Sequence, residues 1–229
     1  MSNRLILGLD NSMDFLNLVL GREDRLIEER HGRMERHSSE TLPARVSSLL
    51  ADHGYGPADL SMLLVTLGPG SFTGVRVALA FCKGLSQGLA IPLFGVPTPD
   101  VLAYPFAFME GYYLCPLIDA KKGEVFFALY RVVNGAAVRM DGFHAMKPER
   151  IRDAIPSPCL CFGTGVGPCR DVFAGIAGLR IMDGPSKRVS GEALLAAGLA
   201  GCNAGHGAEA KPIYGRRSEA EIKFNIEIP

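Results

Sequence analysis

Two aspartates close apolar runs that read as buried strands: Asp10 ends Arg4–Asp10, and Asp119 ends Tyr113–Asp119. A carboxylate at a strand tip can direct a cation or a phosphate-bearing ligand. The segment after Asp10 works against that use. It reads Asn11-Ser12-Met13-Asp14, and a second acid there repels phosphate. The most specific string is Gly68-Pro69-Gly70-Ser71-Phe72-Thr73-Gly74-Val75-Arg76. Its glycines allow backbone conformations that a Cβ would forbid, and Ser71 or Thr73 can cap a following helix. Free N–H groups at a helix start can hold an anion. No Lys follows Gly74, so this is not a phosphate loop of the GxxxxGK[ST] kind. The alternative reading is a tight turn that packs a helix close to a sheet.

Other chemistry-bearing residues give less. His37 sits near a helix start and reads as an exposed or capping residue rather than a base. His31, His53, His144 and His206 show no partner in the sequence. Cys159, Cys161 and Cys169, with Cys202 and His206, match no strong zinc spacing, and none of the six cysteines forms a CxxC pair. Reduced, buried thiols are therefore expected, with no metal and no cofactor.

These residues must be positioned by α/β elements. The 229 residues are 48% hydrophobic, enough for one large domain or two lobes. Lys and Arg total 24, matching 24 Asp and Glu. Phosphate neutralisation dominates nucleic-acid binding, so this balance argues against autonomous binding of a nucleic acid; Lys211, Arg216 and Arg217 are the nearest approach to a basic patch. The start enters a strand pattern directly, without a signal-peptide pattern. The apolar stretch from Val101 to Ile118 is broken by Glu110, Gly111 and Pro116, so no membrane span is expected.

In order, the spacing predicts strands at Arg4–Asp10, Phe15–Leu20 and Arg25–His31, a helix at Ser38–Ala51, a strand at Met62–Thr66, the glycine turn, a helix at Thr73–Leu89 and an interrupted helix at Thr98–Phe108. The second half repeats the scheme: strands at Tyr113–Asp119, Val125–Val132 and Ala136–Phe143, a helix at Lys147–Ala154, a strand at Cys159–Phe162, a turn at Gly163–Gly167 and a helix at Cys169–Ile176. A final helix runs over Ser190–Ala200, and the tail after Glu209 is polar. Two copies of one unit imply a duplicated α/β fold of the kind shared by actin, chaperone ATPases and sugar kinases, with two lobes, 1–110 and 111–229.

The string Gly68–Arg76 resembles the GPGSFTG…R signature of the TsaB (YeaZ) family. Gly8–Ser12, His37–Pro43, Ile91-Pro92 with Gly95-Val96, Ile118–Val125 and Pro212–Arg216 resemble further family segments in the same order. The resemblance runs from about residue 4 to about residue 220. It implies the actin-like (ASKHA) fold and a non-catalytic, cytoplasmic scaffold in tRNA threonylcarbamoyladenosine biosynthesis. It implies TsaD, the catalytic paralogue, as heterodimer partner, TsaE as an ATPase recruited through that complex, and a homodimer when alone. TsaD carries an HxxxH metal pair; Thr98 and Leu102 stand at those positions here, and Leu102 cannot ligate. The resemblance also places a partner surface on the helices Ser38–Ala51 and Thr73–Leu89. Gly74, Val77, Ala78, Phe81, Gly84 and Gly88 are its candidate residues, because three glycines in one helix cost about 1 kcal/mol each relative to alanine and need a reason. The nucleotide contact that the pattern allows is a weak one, at Asp10 and Asp119. The competing reading is an autonomous ATPase or small-molecule kinase of the same fold.

Overall fold

The computed structural model describes residues 4–33, 38–184, 188–203 and 210–215. Expectations on His37, His206, Arg216 and Arg217 and on most of the tail lie outside the described residues. Strand β1, Leu5–Asp10, is buried along its whole length. Its period of two sends Leu5, Leu7 and Leu9 to one face and Ile6 and Gly8 to the other. The leucines enter a core with Leu42, Val46, Leu49 and Leu50 of helix α1 (Ser38–Ala51) and with Ala78, Leu79 and Cys82 of helix α2 (Phe72–Leu89). Ile6 enters a second core with Ala193, Leu194 and Leu195 of the last helix, α6 (Gly191–Asn203). Each buried leucine contributes about 1.5–3 kcal/mol over an exposed one.

The first sheet places β2 (Phe15–Arg22) and β3 (Arg25–Arg33) antiparallel on one side of β1. On the other side lie, in parallel, β4 (Leu60–Thr66) and β5 (Leu93–Val96). The second sheet is built the same way around β6 (Tyr113–Lys121). Strand β7 (Glu124–Phe127) and then β10 (His144–Met146) lie on its antiparallel side, and β11 (Cys159–Phe162) and β12 (Leu179–Met182) on its parallel side. The identical scheme makes this the duplicated, actin-like α/β fold. A hairpin of β8 (Tyr130–Val133) and β9 (Ala136–Arg139) extends the second copy.

Several elements differ from their expected form. The single strand expected over Val125–Val132 is two, β7 and β8, although both pair with β6 in one unbroken register, Leu114 with Tyr130 and Leu117 with Phe127. Pro116 lies between them on β6 and has no N–H to give the ladder. The run expected over Ala136–Phe143 is β9 alone, with β10 following. Strands β5 and β12 carry no alternation that marks them in sequence. Helix α3 stops at Thr98–Ala103 and passes into a 3₁₀ turn, Tyr104–Phe106, because Pro105 cannot continue an α-helix. Helix α4 is Pro148–Arg152, and α5 is Val166–Phe173, starting three residues earlier than expected.

The halves are not independent in space. Helix α6 crosses back onto the first sheet, contacting all five strands, so the end of the expected second lobe, 111–229, packs with the first. One core joins Met13, Val101 and Leu102 to Ile118, Phe126 and Phe162. Asp100 of α3 accepts a hydrogen bond from the Tyr130 hydroxyl at 2.5 Å and one from Arg139 at 3.0 Å, tying the first lobe to the β8–β9 hairpin. Burial raises the Asp100 carboxyl above its ordinary pKa, while Tyr130 and Arg139 oppose the shift.

Candidate functional site

The tip of β1 is closed by its own chain. Asp10 is 1% exposed. Its Oδ1 accepts from the Ser12 N–H at 3.0 Å, the Ser12 hydroxyl at 2.5 Å and the Thr66 hydroxyl at 2.6 Å. Burial pushes its pKa up, and these hydrogen bonds only partly oppose that. The signature turn then covers Ser12: the Ser71 N–H donates to the Ser12 carbonyl at 2.7 Å, and the Asn11 side-chain amide donates to the Gly74 carbonyl at 3.2 Å. A Cβ at Gly70 would overlap the Ser12 carbonyl oxygen. The glycine is therefore required for close approach of turn and strand.

The second copy repeats the device. A Cβ at Gly163, at φ +109°, would overlap the carbonyl oxygen of Leu117. The Asp119 N–H donates to the Thr164 hydroxyl at 3.1 Å. The Asp119 carboxylate is more open than Asp10. It accepts from the Lys121 N–H at 2.8 Å and from the Lys121 ammonium at 2.9 Å, and that ammonium also stands 4.0 Å from Asp14 of the first lobe. The two strand-tip acids are thus occupied by Ser12 with Thr66, and by Lys121.

The signature is also joined to the C-terminal segment. The Ile213 N–H donates to the Leu67 carbonyl at 2.8 Å. A Cβ at Gly68 would stand 2.9 Å from the Ile213 carbonyl oxygen, and one at Gly215 would meet Phe126 at 2.5 Å and Pro69 at 3.2 Å. Arg76 donates from Nε to the Tyr214 hydroxyl at 2.8 Å, and its guanidinium lies 3.8 Å over the Phe72 ring. Gly68-Pro69-Gly70 and Pro212–Gly215, far apart in sequence, pack against each other and, through Gly215, against Phe126 of β7.

Helix α2 starts where the sequence places a cap: Ser71 Oγ accepts from the Gly74 N–H at 3.2 Å. Its sheet face holds Val75, Leu79 and Cys82 as expected, but also Gly74 and Ala78. Ala78 lies three residues after Val75 and four before Cys82, so it shares their face. Val77 and Phe81 are half-buried against the core, and Gly84 and Gly88 are exposed with open space around them. The outer stripe is Phe72, Thr73, Arg76, Ala80, Lys83, Gly84, Gln87 and Gly88. Of the six candidate surface residues, Gly74 and Ala78 do not reach the surface.

Thr98 and Leu102, at 0% and 4% exposure, lie in the core rather than on an open site. Three histidines that show no partner in the sequence have carboxylate partners in the fold: His31 with Glu29 at 3.1 Å, His53 with Glu28 at 2.6 Å and His144 with Asp141 at 2.9 Å. Arg30 and then His53 hold the Glu28 carboxyl down at about 2. Cys115, Cys159, Cys161 and Cys169 share one buried core, whereas Cys202 is on α6. Burial pushes the Cys82 and Cys169 thiols up to about 12, which suits inert packing. Among the described residues no group of His, Cys, Asp and Glu could hold a metal ion, and no helix is long and apolar enough to cross a membrane.

A duplicated actin-like fold with glycine turns closed on both central strands defines the class. The sequence model of the family described as TsaD, tRNA N6-adenosine threonylcarbamoyltransferase, matches residues 32–156. That is more than half of the chain, which therefore belongs to this family, on its TsaB (YeaZ) branch. It is 39% identical over 131 residues to the tRNA threonylcarbamoyladenosine biosynthesis protein TsaB of Bacillus subtilis, covering 57% of this chain and 56% of that one. It is 29% identical over 150 residues to TsaB of Escherichia coli, covering 65% and 64%. The matched regions thus span under two thirds of these relatives. The fold is similar to a crystal structure from Pseudomonas aeruginosa described as an uncharacterized protein with similarity to peptidase YEAZ, with TM-score 0.78 and 25% identity, covering 93% of this chain and all of that one.

Proposed function

We propose that this chain is a non-catalytic, cytoplasmic subunit of the machinery that adds threonylcarbamoyl to adenosine in tRNA. It pairs with a TsaD catalytic subunit through α1 and α2, helps recruit the ATPase TsaE through that pair, and forms a homodimer when alone. The observation that carries this reading is the closed tip of β1: Asp10 is buried under Ser12 and Thr66, and the signature turn lies on Ser12. A nucleotide or metal could reach Asp10 only if that turn lifted. Thr98 and Leu102 in the core support the same reading, since neither presents a ring nitrogen to an ion. An autonomous ATPase or kinase needs an accessible acid beside a phosphate loop, and this geometry does not favour one.

The pairing is tested on α2. A stable interface needs about 1,200–2,000 Å² of buried surface. Gly84 is exposed with no atom near a Cβ, so Gly84→Arg leaves the monomer folded, within about 0.5 kcal/mol of wild type. It is expected to weaken the complex with TsaD and the homodimer at least about tenfold, by crowding a surface built for close approach. Size-exclusion chromatography with light scattering, with and without TsaD, reads the effect. Assembly like wild type by a folded Gly84→Arg variant places the partner surface elsewhere. The chain alone is expected to transfer no threonylcarbamoyl; robust modification of tRNA without TsaD defeats the scaffold reading.

A further inference from the structure

We infer that Arg76, with Phe72 and Tyr214, forms a recognition site for a carboxylate side chain of the protein that docks on α2. The inference rests on the reading of α2 as the partner face and names the chemistry of its N-terminal end. The Arg76 guanidinium is stacked 3.8 Å over Phe72 and lies 5.4 Å from the Tyr214 ring, and the two rings are 5.1 Å apart. Among the described residues Arg76 bonds through Nε alone, to the Tyr214 hydroxyl. Among the described residues no carboxylate pairs with Arg76. The terminal amino groups are therefore open among the described residues, on a side chain already held in one position. An arginine fixed this way loses little further freedom on binding and presents a fork that matches a carboxylate.

The surroundings favour a protein ligand. Phe72 is 40% and Tyr214 43% exposed. Two open aromatic rings beside an arginine have the composition of a protein–protein hot spot. A nucleic-acid backbone needs several cations together. On its turn of α2 Arg76 stands with the uncharged Thr73, in a chain of zero formal net charge. Lys211, Arg216 and Arg217 flank Tyr214 in the sequence, so a phosphate ligand stands among the outcomes of the test. Arg76 also opens the exposed stripe that continues through Ala80 and Gly84, so one partner can cover both. Tyr214 reaches the site because the C-terminal segment is fastened to Leu67 and wedged between Pro69 and Phe126. The recognition group therefore depends on two segments far apart in the chain.

The experiment measures affinity for TsaD by calorimetry at two salt concentrations, for wild type, Arg76→Ala, Arg76→Lys, Tyr214→Phe and Gly84→Arg, with circular dichroism as the check on folding. Arg76→Ala is expected to weaken binding at least about tenfold and to flatten its salt dependence. Arg76→Lys should recover little, because a lysine neither stacks nor forks. Tyr214→Phe keeps the ring and should stay within about threefold of wild type. If Arg76→Ala loses its fold, Arg76→Gln carries the same test. Wild-type binding by folded Arg76→Ala, with Gly84→Arg impaired, overturns this site and leaves the partner face standing. Wild-type binding by both overturns the partner face as well, and no binding by wild type overturns the pairing itself. If Arg76→Ala reduces retention of tRNA and not of TsaD, the ligand is a phosphate and the carboxylate assignment fails.

Discussion

Alanine at Gly70 or at Gly163 will destabilise the fold by about 3 kcal/mol or more, the upper end of what overpacking costs. In each case the added methyl overlaps a backbone carbonyl oxygen, Ser12 at Gly70 and Leu117 at Gly163. A flexible side chain could rotate away, but the Leu117 carbonyl belongs to β6 and the Ser12 carbonyl to a bend pinned by hydrogen bonds to Asp10, so neither backbone moves freely. At Gly70 the displacement also stretches the hydrogen bond from the Ser71 N–H to the Ser12 carbonyl. At Gly163 the backbone lies at φ +109°, where an L side chain is strained even with space available. Gly84→Ala is the control. It is exposed in α2 with nothing near its Cβ, and should stabilise by about 0.5–1 kcal/mol through helix propensity. Urea denaturation separates these outcomes. Alanine variants at 70 and 163 with wild-type midpoints would show that the turns do not close on the strands as described.

Removing the carboxylate of Asp10 will cost a similar amount. Asp10→Ala leaves the Ser12 N–H, the Ser12 hydroxyl and the Thr66 hydroxyl without their common acceptor in a buried place. At about 1–3 kcal/mol for each buried group left unpaired, the loss is about 3 kcal/mol or more. The pH dependence has a definite sign. Burial raises the Asp10 pKa in the fold above the ordinary value of 3.8. As pH rises past 3.8, the unfolded chain loses this proton first and the folded chain keeps it. Stability therefore falls over that interval and levels off once the folded carboxyl has ionised. The margin of wild type over Asp10→Ala should be widest below pH 3.8 and narrower at neutral pH. Denaturant titrations at a series of pH values check this; a margin that widens with rising pH would mean that the carboxylate is held charged by a favourable partner.

The duplicated scheme was legible because each copy repeats acid-tipped strand, strands, helix, strand, glycine turn and helix. These are local patterns of period two and 3.6. The signature string was legible as a turn, and its two readings, anion loop or close packing, differ in whether space remains beside the glycines. Only the fold answers that: Ser12 fills the space beside Gly70 and Ile213 the space beside Gly68. Ala78 reads as an outer-face residue because a small side chain marks no face by itself, yet its spacing from Val75 and Cys82 places it on their buried face. The break at Pro116 was missed because the proline acts on a strand it does not belong to.

The sequence alone determined the strands and helices that carry a marked periodicity, where the two acids stand, and that Thr98 and Leu102 form no metal pair; β5, β12 and the division of β7 from β8 lay outside its reach. Hydrophobic periodicity, capping and the absence of a ligand atom are properties of neighbouring residues, and they survive without coordinates. The tertiary structure decided that α6 returns to the first sheet, that the histidines at 31, 53 and 144 face carboxylates, and that Arg76 is held between Phe72 and Tyr214. The return of α6, His53 with Glu28 and Arg76 with Tyr214 join residues that no local pattern relates, whereas His31–Glu29 and His144–Asp141 pair near neighbours in the chain. Arg76 and Tyr214 are 138 residues apart, and their meeting depends on how the C-terminal segment threads past the signature turn.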